Sequence, residues 1–176
     1  MNWEMIFGVA NAWALLAWVV LAVTPKRERV VPYIFFAGTV LLACLYAGLI
    51  IPLMAGFISD GGPAGRPTAD FTTLAGVMAL FDSPGGATIG WIHYLAFDLF
   101  VGIWIARNAD HHKIARWLQV PILFFTLMAG PIGLLLYLLL RQITGKNRIT
   151  PCFRVDLGHC NTNVRRISRV NRDKNG

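Results

Sequence analysis

Apolar positions in this chain do not alternate with polar ones. They run on in four blocks, residues 3–23, 31–57, 87–105 and 117–140, separated by polar or Gly/Pro-rich breaks. Each block holds 19 to 27 residues, and about 20 residues at 1.5 Å rise match a hydrocarbon core about 30 Å thick. Backbone amides in lipid must be satisfied within their own segment, so such blocks predict helices; a barrel would show alternating stretches of about 10 residues. The pattern predicts an all-α integral membrane bundle of four transmembrane helices over residues 1–141. Composition agrees, because 56% hydrophobic and 14% charged residues with a mean hydropathy of +0.55 exclude an ordinary water-soluble domain. The first block opens with Glu4 and has no Lys or Arg before it, the wrong start for a signal peptide, so an uncleaved helix is expected.

Within the blocks the spacing is informative. Gly8, Ala10, Ala12, Ala14 and Ala17 give the first span a small-residue face for close helix packing. Pro32 falls in the opening turn of the second span, where a missing N–H costs nothing, and Pro52 is expected to kink or end it. Between residues 58 and 88 the chain turns Gly- and Pro-rich around a more apolar piece, 69–81. There Phe71, Leu74, Val77, Met78 and Phe81 recur at helical steps and predict a short amphipathic helix, on the membrane surface or lying over the bundle. Asp60, Asp70 and Asp82 in this loop read as solvated charges or helix caps. The fourth block carries Gly130-Pro131-Ile132-Gly133 deep in the hydrocarbon, which predicts a kink or a ligand recess.

Charge complicates the topology. Lys26, Arg27 and Arg29 in the first loop and Arg107, Lys113 and Arg116 in the third outweigh Arg66 in the second, which places the first and third loops on the positive, cytoplasmic side. The stretch from Arg141 carries nine more Lys or Arg, and four spans put it on the opposite face. Orientation is therefore unresolved by the pattern. Residues 142–176 read as a basic, disordered or membrane-surface tail. Its Cys152 and Cys160 lack zinc spacing, and Cys44 reads as a packing residue. The expected partner is the lipid bilayer, with no nucleic acid; association into a homo-oligomer is left open.

Candidate chemistry concentrates in the third block. Asp98 lies near its centre, at a depth that costs several kcal/mol unless the carboxyl faces protein, water or a partner. His93 is five residues away, so the two project about 140° apart and do not bond each other, whereas Tyr94 and Asp98 share a face. Two readings stand side by side: Asp98 and His93 are satisfied by polar groups on other helices, such as Asn11, Thr126 or carbonyls freed at Pro131, or they are reactive groups, a carboxyl acid and an imidazole base or metal ligand. His111 and His112 read as an interfacial loop too far from His93 to share a metal, and Trp91, Trp104 and Trp117 as an aromatic belt.

The set Trp91, His93, Tyr94, Phe97, Asp98 and Gly102, followed by Pro121 and then Met128, Gly130, Pro131, Gly133 and Leu134, resembles the abscisic acid deficient four family. Its plant members are associated with neoxanthin formation from violaxanthin in chloroplast membranes. The resemblance implies a membrane-embedded carotenoid-modifying enzyme acting near the ring end of its substrate. Either it opens and isomerises an epoxide with His93, Asp98 and Tyr94 as catalytic groups, or it cleaves a β-carotene-like polyene oxidatively, which would demand iron on His93 and Asp98. Expected substrate contacts are Asn11, Phe97, Gly102, Thr126, Gly130 and Pro131. The alternative is a non-catalytic pigment-binding or scaffold subunit.

Overall fold

A computed structural model describes residues 1–24, 27–64 and 70–144, and within them the chain is all-helical. Three helices are long and apolar enough to cross a membrane: α1 (Trp3–Val23), α2 (Glu28–Met54) and α4 (Pro84–His111). The loop between α2 and α4 holds the short helix α3 (Leu74–Phe81), and two further helices follow α4: α5 (Arg116–Met128) and α6 (Gly130–Thr144).

Each start has a local cause. Asn2 caps α1 by accepting the Met5 amide at 3.1 Å, and Ser83 caps α4 by accepting the Gly86 amide at 3.1 Å, with Pro84 opening the first turn. Thr73 does the same for α3 through the Gly76 amide. α2 ends at Met54, two residues beyond Pro52, and the left-handed Gly56 with φ 75° follows its cap at Ala55. Its interior holds a π-helical turn, Phe35–Val40, whose Ala37 carbonyl accepts the Trp13 indole N–H at 2.7 Å. Such turns widen a helix and leave carbonyls to be satisfied from outside, a role Trp13 takes here.

α4 is the central helix. Of its most apolar window 56% is buried, against 22% for α1 and α2. α1 runs parallel to it, with Trp3 over Gly85, Asn11 at Trp91 and the Trp18 ring over Gly102. Ala10 and Ala14 form the buried small-residue seam of α1; Gly8 lies on the outside with open space around it. α2 runs antiparallel, with Gly38 against Leu99 and Tyr46 beside His93.

The fourth apolar block does not form one kinked span. The chain leaves helical geometry at Ala129 (φ −157°, ψ 83°) and folds back, so that Gly133 of α6 lies against the backbone of Thr126 in α5. In a continuous helix residues seven apart are separated by about 10.5 Å along the axis. α5 runs antiparallel to α4, from the Gln119 amide on Asp110 at 3.0 Å to Met128 beside Tyr94. α6 returns parallel to α4, from Gly130 at Asp98 to Tyr137, whose hydroxyl donates to Asn108 at 2.6 Å and whose ring meets Trp104. The expected four-helix span pattern is thus corrected to three long helices and one helical hairpin.

The amphipathic helix of the second loop is present but shorter than the expected 69–81, beginning at Leu74. Asp70 holds the residues before it in a turn by accepting the Thr72 and Thr73 amides at 2.7 and 2.9 Å. Phe71, Leu74, Met78 and Phe81 are exposed, while Gly76, Ala79 and Leu80 pack inward. The tail, 142–176, lies outside the described residues from 145 onward, and Arg66 lies outside them too.

Candidate functional site

The polar centre of the molecule is the tip of the α5–α6 hairpin where it meets the middle of α4. Asp98 is 6% exposed. Its Oδ1 lies against Gly130, close enough that any Cβ there would collide with the carboxyl. Its Oδ2 is buried without a hydrogen-bond partner among the described residues. Tyr94, one turn earlier, donates its hydroxyl to the Met128 carbonyl at 2.7 Å and also interacts with Asp98. The Gly130 amide, at the amino end of α6, faces the same carboxyl. That end carries the positive pole of the helix dipole and favours an oxygen-rich group.

Tyr94 is in turn oriented by Trp91. The Trp91 ring stacks on it, centroids 5.4 Å apart, and the Trp91 indole N–H donates to Asn11 Oδ1 at 3.0 Å. Asn11 therefore reaches the site only through Trp91.

The other expected residues are dispersed. His93 is exposed on the α2 side of α4, between Phe97 (4.6 Å) and Tyr46 (5.1 Å), and does not share the Asp98 niche. Gly102 lies beneath Trp18. Thr126 is fully buried, returns its hydroxyl to the Ile122 carbonyl at 2.8 Å and seats Gly133. Pro131 is on the exposed side of the tip. Tyr94, Asp98, Gly130 and Pro131 are thus brought together, and His93, Phe97, Gly102 and Thr126 are not. The Met128 carbonyl is a backbone group that no side-chain pattern announces; its only trace in the sequence is the helix-breaking Gly130-Pro131 that follows.

Among the described residues iron has no matching donor set: no group of three His, Cys, Asp or Glu converges, and His93 and Asp98 face different sides of α4. His111 and His112 pair with each other at 3.3 Å, about 27 Å along α4 from His93. The His112 imidazole is held below the ordinary histidine range, first by burial and then by the charges of Arg141 and His111.

The family model described as ABA DEFICIENT 4-like matches residues 5–137, more than half of the chain. This protein belongs to that family. The match runs from α1 to the middle of α6 and takes in the whole hairpin tip. For this ABA DEFICIENT 4-like protein no curated protein and no solved structure gave a match. Family membership connects the chain to carotenoid biosynthesis in membranes.

Proposed function

We propose that the protein is an integral, multi-pass membrane enzyme that isomerises the ring end of an epoxy-carotenoid, with Asp98 as the proton-transferring group and Tyr94 positioning it. The observation that carries this reading is Asp98 Oδ2: a deeply buried carboxyl oxygen with no hydrogen-bond partner among the described residues, beside a phenol and a helix amino end. A buried acceptor left open costs about 1–3 kcal/mol, which a ligand donor or proton at that oxygen would recover.

In its protonated state Asp98 donates to the epoxide oxygen as the ring carbon–oxygen bond breaks. The resulting carboxylate then takes a proton from the adjacent chain carbon as the allene forms. One proton is given and one is recovered, so the product is an isomer with a new hydroxyl, and no oxidant is consumed. This assigns to Asp98 the base role expected of His93. His93, Tyr46 and Phe97 instead offer aromatic edges and faces to an apolar polyene on the lipid side of α4. The oxidative alternative needs iron, which His93 and Asp98 do not jointly hold.

The test is expression in bacteria that accumulate an epoxy-carotenoid, with chromatography of extracted pigments. A new isomeric pigment is expected, lost with Asp98→Asn by at least about 100-fold, the usual lower scale of acid–base catalysis, and retained in part with His93→Ala. Isomerisation is also expected to survive a strong chelator. A second reading, a pigment-binding scaffold, is favoured by the Tyr94 to Met128 bond, which fastens the hairpin. Unchanged pigments alongside normal accumulation of the wild-type protein would favour it.

A further inference from the structure

We infer that α5 and α6 form a re-entrant hairpin: both occupy the bilayer from the Lys/Arg-rich face, turn in mid-membrane against Asp98, and return to that same face. This rests on the three long helices crossing the bilayer, but not on any carotenoid chemistry.

Length is the first argument. α5 has 13 residues and α6 has 15, so at 1.5 Å per residue each spans about 20–22 Å and neither crosses a core about 30 Å thick. The turn lies beside Asp98, the fifteenth of the 28 residues of α4.

Backbone accounting is the second. Non-helical backbone at membrane depth is tolerated only where protein satisfies it. Here Tyr94 donates to the Met128 carbonyl at 2.7 Å, and the Ala129 amide donates to Phe125 at 2.8 Å. The Ala129 carbonyl accepts from Ile132 and Gly133 at 2.9 and 3.2 Å, and the Gly130 amide faces Asp98. Pro131 has no N–H to satisfy. The tip is thus completed inside the hydrocarbon by two side chains of α4.

Both ends of the hairpin are tied to one end of the bundle. Arg116 donates to the Thr24 carbonyl at 2.7 Å, Gln119 to Asp110, and Tyr137 to Asn108. With this arrangement the charges fall into place. Among the described residues, Arg29 at the start of α2, Arg107, Lys113 and Arg116 around the third loop and Arg141 near the end of α6 all belong to one face. A fourth crossing would place Arg141 on the opposite side from the others, so the positive-inside rule assigns the basic face to the cytoplasm.

Single cysteines in a background with Cys44, Cys152 and Cys160 replaced by Ser decide the matter, read with a membrane-impermeant maleimide on intact and permeabilised spheroplasts. Ala64→Cys is expected to label in intact cells, and His111→Cys and Thr144→Cys only after permeabilisation. Met128→Cys is expected to stay unlabelled in both. Ser59→Cys and Gln142→Cys repeat the measurement nearby if a variant fails to accumulate. Labelling of Thr144→Cys together with Ala64→Cys would establish a full fourth crossing and overturn the hairpin. Labelling of Met128→Cys after permeabilisation would overturn the mid-membrane tip, and labelling of His111→Cys in intact cells the cytoplasmic assignment.

Discussion

At the scale of single residues, the hairpin tip depends on side chains that are missing as much as on those present. A Cβ at Gly130 would enter the Asp98 carboxyl, and one at Gly133 would enter the Thr126 hydroxyl and backbone. At Gly130 the obstacle is a buried carboxyl already held by Tyr94 and the tip amide, so it cannot swing aside cheaply. Gly130→Ala is therefore expected to destabilise by about 1–3 kcal/mol, the ordinary cost of overpacking, seen as a lower melting temperature in detergent. Gly48→Ala, where nothing lies within 4 Å, is the matched control and should melt like the wild type. Equal melting of the two variants would mean that the tip does not approach α4 this closely.

At the scale of elements, α3 shows how a short helix is set by the residues before it. The Asp70 carboxyl is held below its ordinary value of 3.8 by the Thr72 hydroxyl first, then by the Thr73 and Thr72 amides. A folded value below the unfolded one gives stabilisation that is complete above the unfolded value and is lost as pH falls through the folded one. The amino end of α3 is therefore expected to loosen only below about pH 3.8, read as faster hydrogen exchange at the Thr72, Thr73 and Gly76 amides. Loosening between pH 5 and 7 would count against Asp70 as its anchor. Much of this level was legible from sequence. Trp3–Val23 coincides with the first apolar block, and the helical steps of Leu74, Met78 and Phe81 mark α3. Ser83-Pro84 is a helix start that loop-like glycines concealed. The π-helical turn and the fold-back at Ala129 were not legible, because hydropathy counts apolar residues without recording which way the chain runs after a break. The 140° between His93 and Asp98 was available from helix geometry, and the structure places them on different faces accordingly; what closes over Asp98 depended on the return of α6.

For the whole molecule, the arrangement leaves the proposed reactive centre remote from both ends of the bundle and, in the proposed bilayer setting, near the lipid. Asp98 is at mid-length of α4, the adjacent tip exposes Met128, Pro131 and Ile132 at its sides, and Phe97 and His93 are exposed on the neighbouring α2 side. A long apolar polyene already dissolved in the bilayer can approach such a centre laterally, without leaving hydrocarbon. The rate then depends on how concentrated the substrate is within the lipid, and not on its amount per volume of buffer. In vesicles holding fixed amounts of protein and epoxy-carotenoid, a tenfold addition of plain lipid is expected to lower the subsaturating rate roughly tenfold, as surface dilution requires. Dilution of the same vesicles tenfold with buffer should leave the rate per protein unchanged. The reverse dependence would mean that substrate arrives through water, and a lateral route to Asp98 could not then be the path it takes.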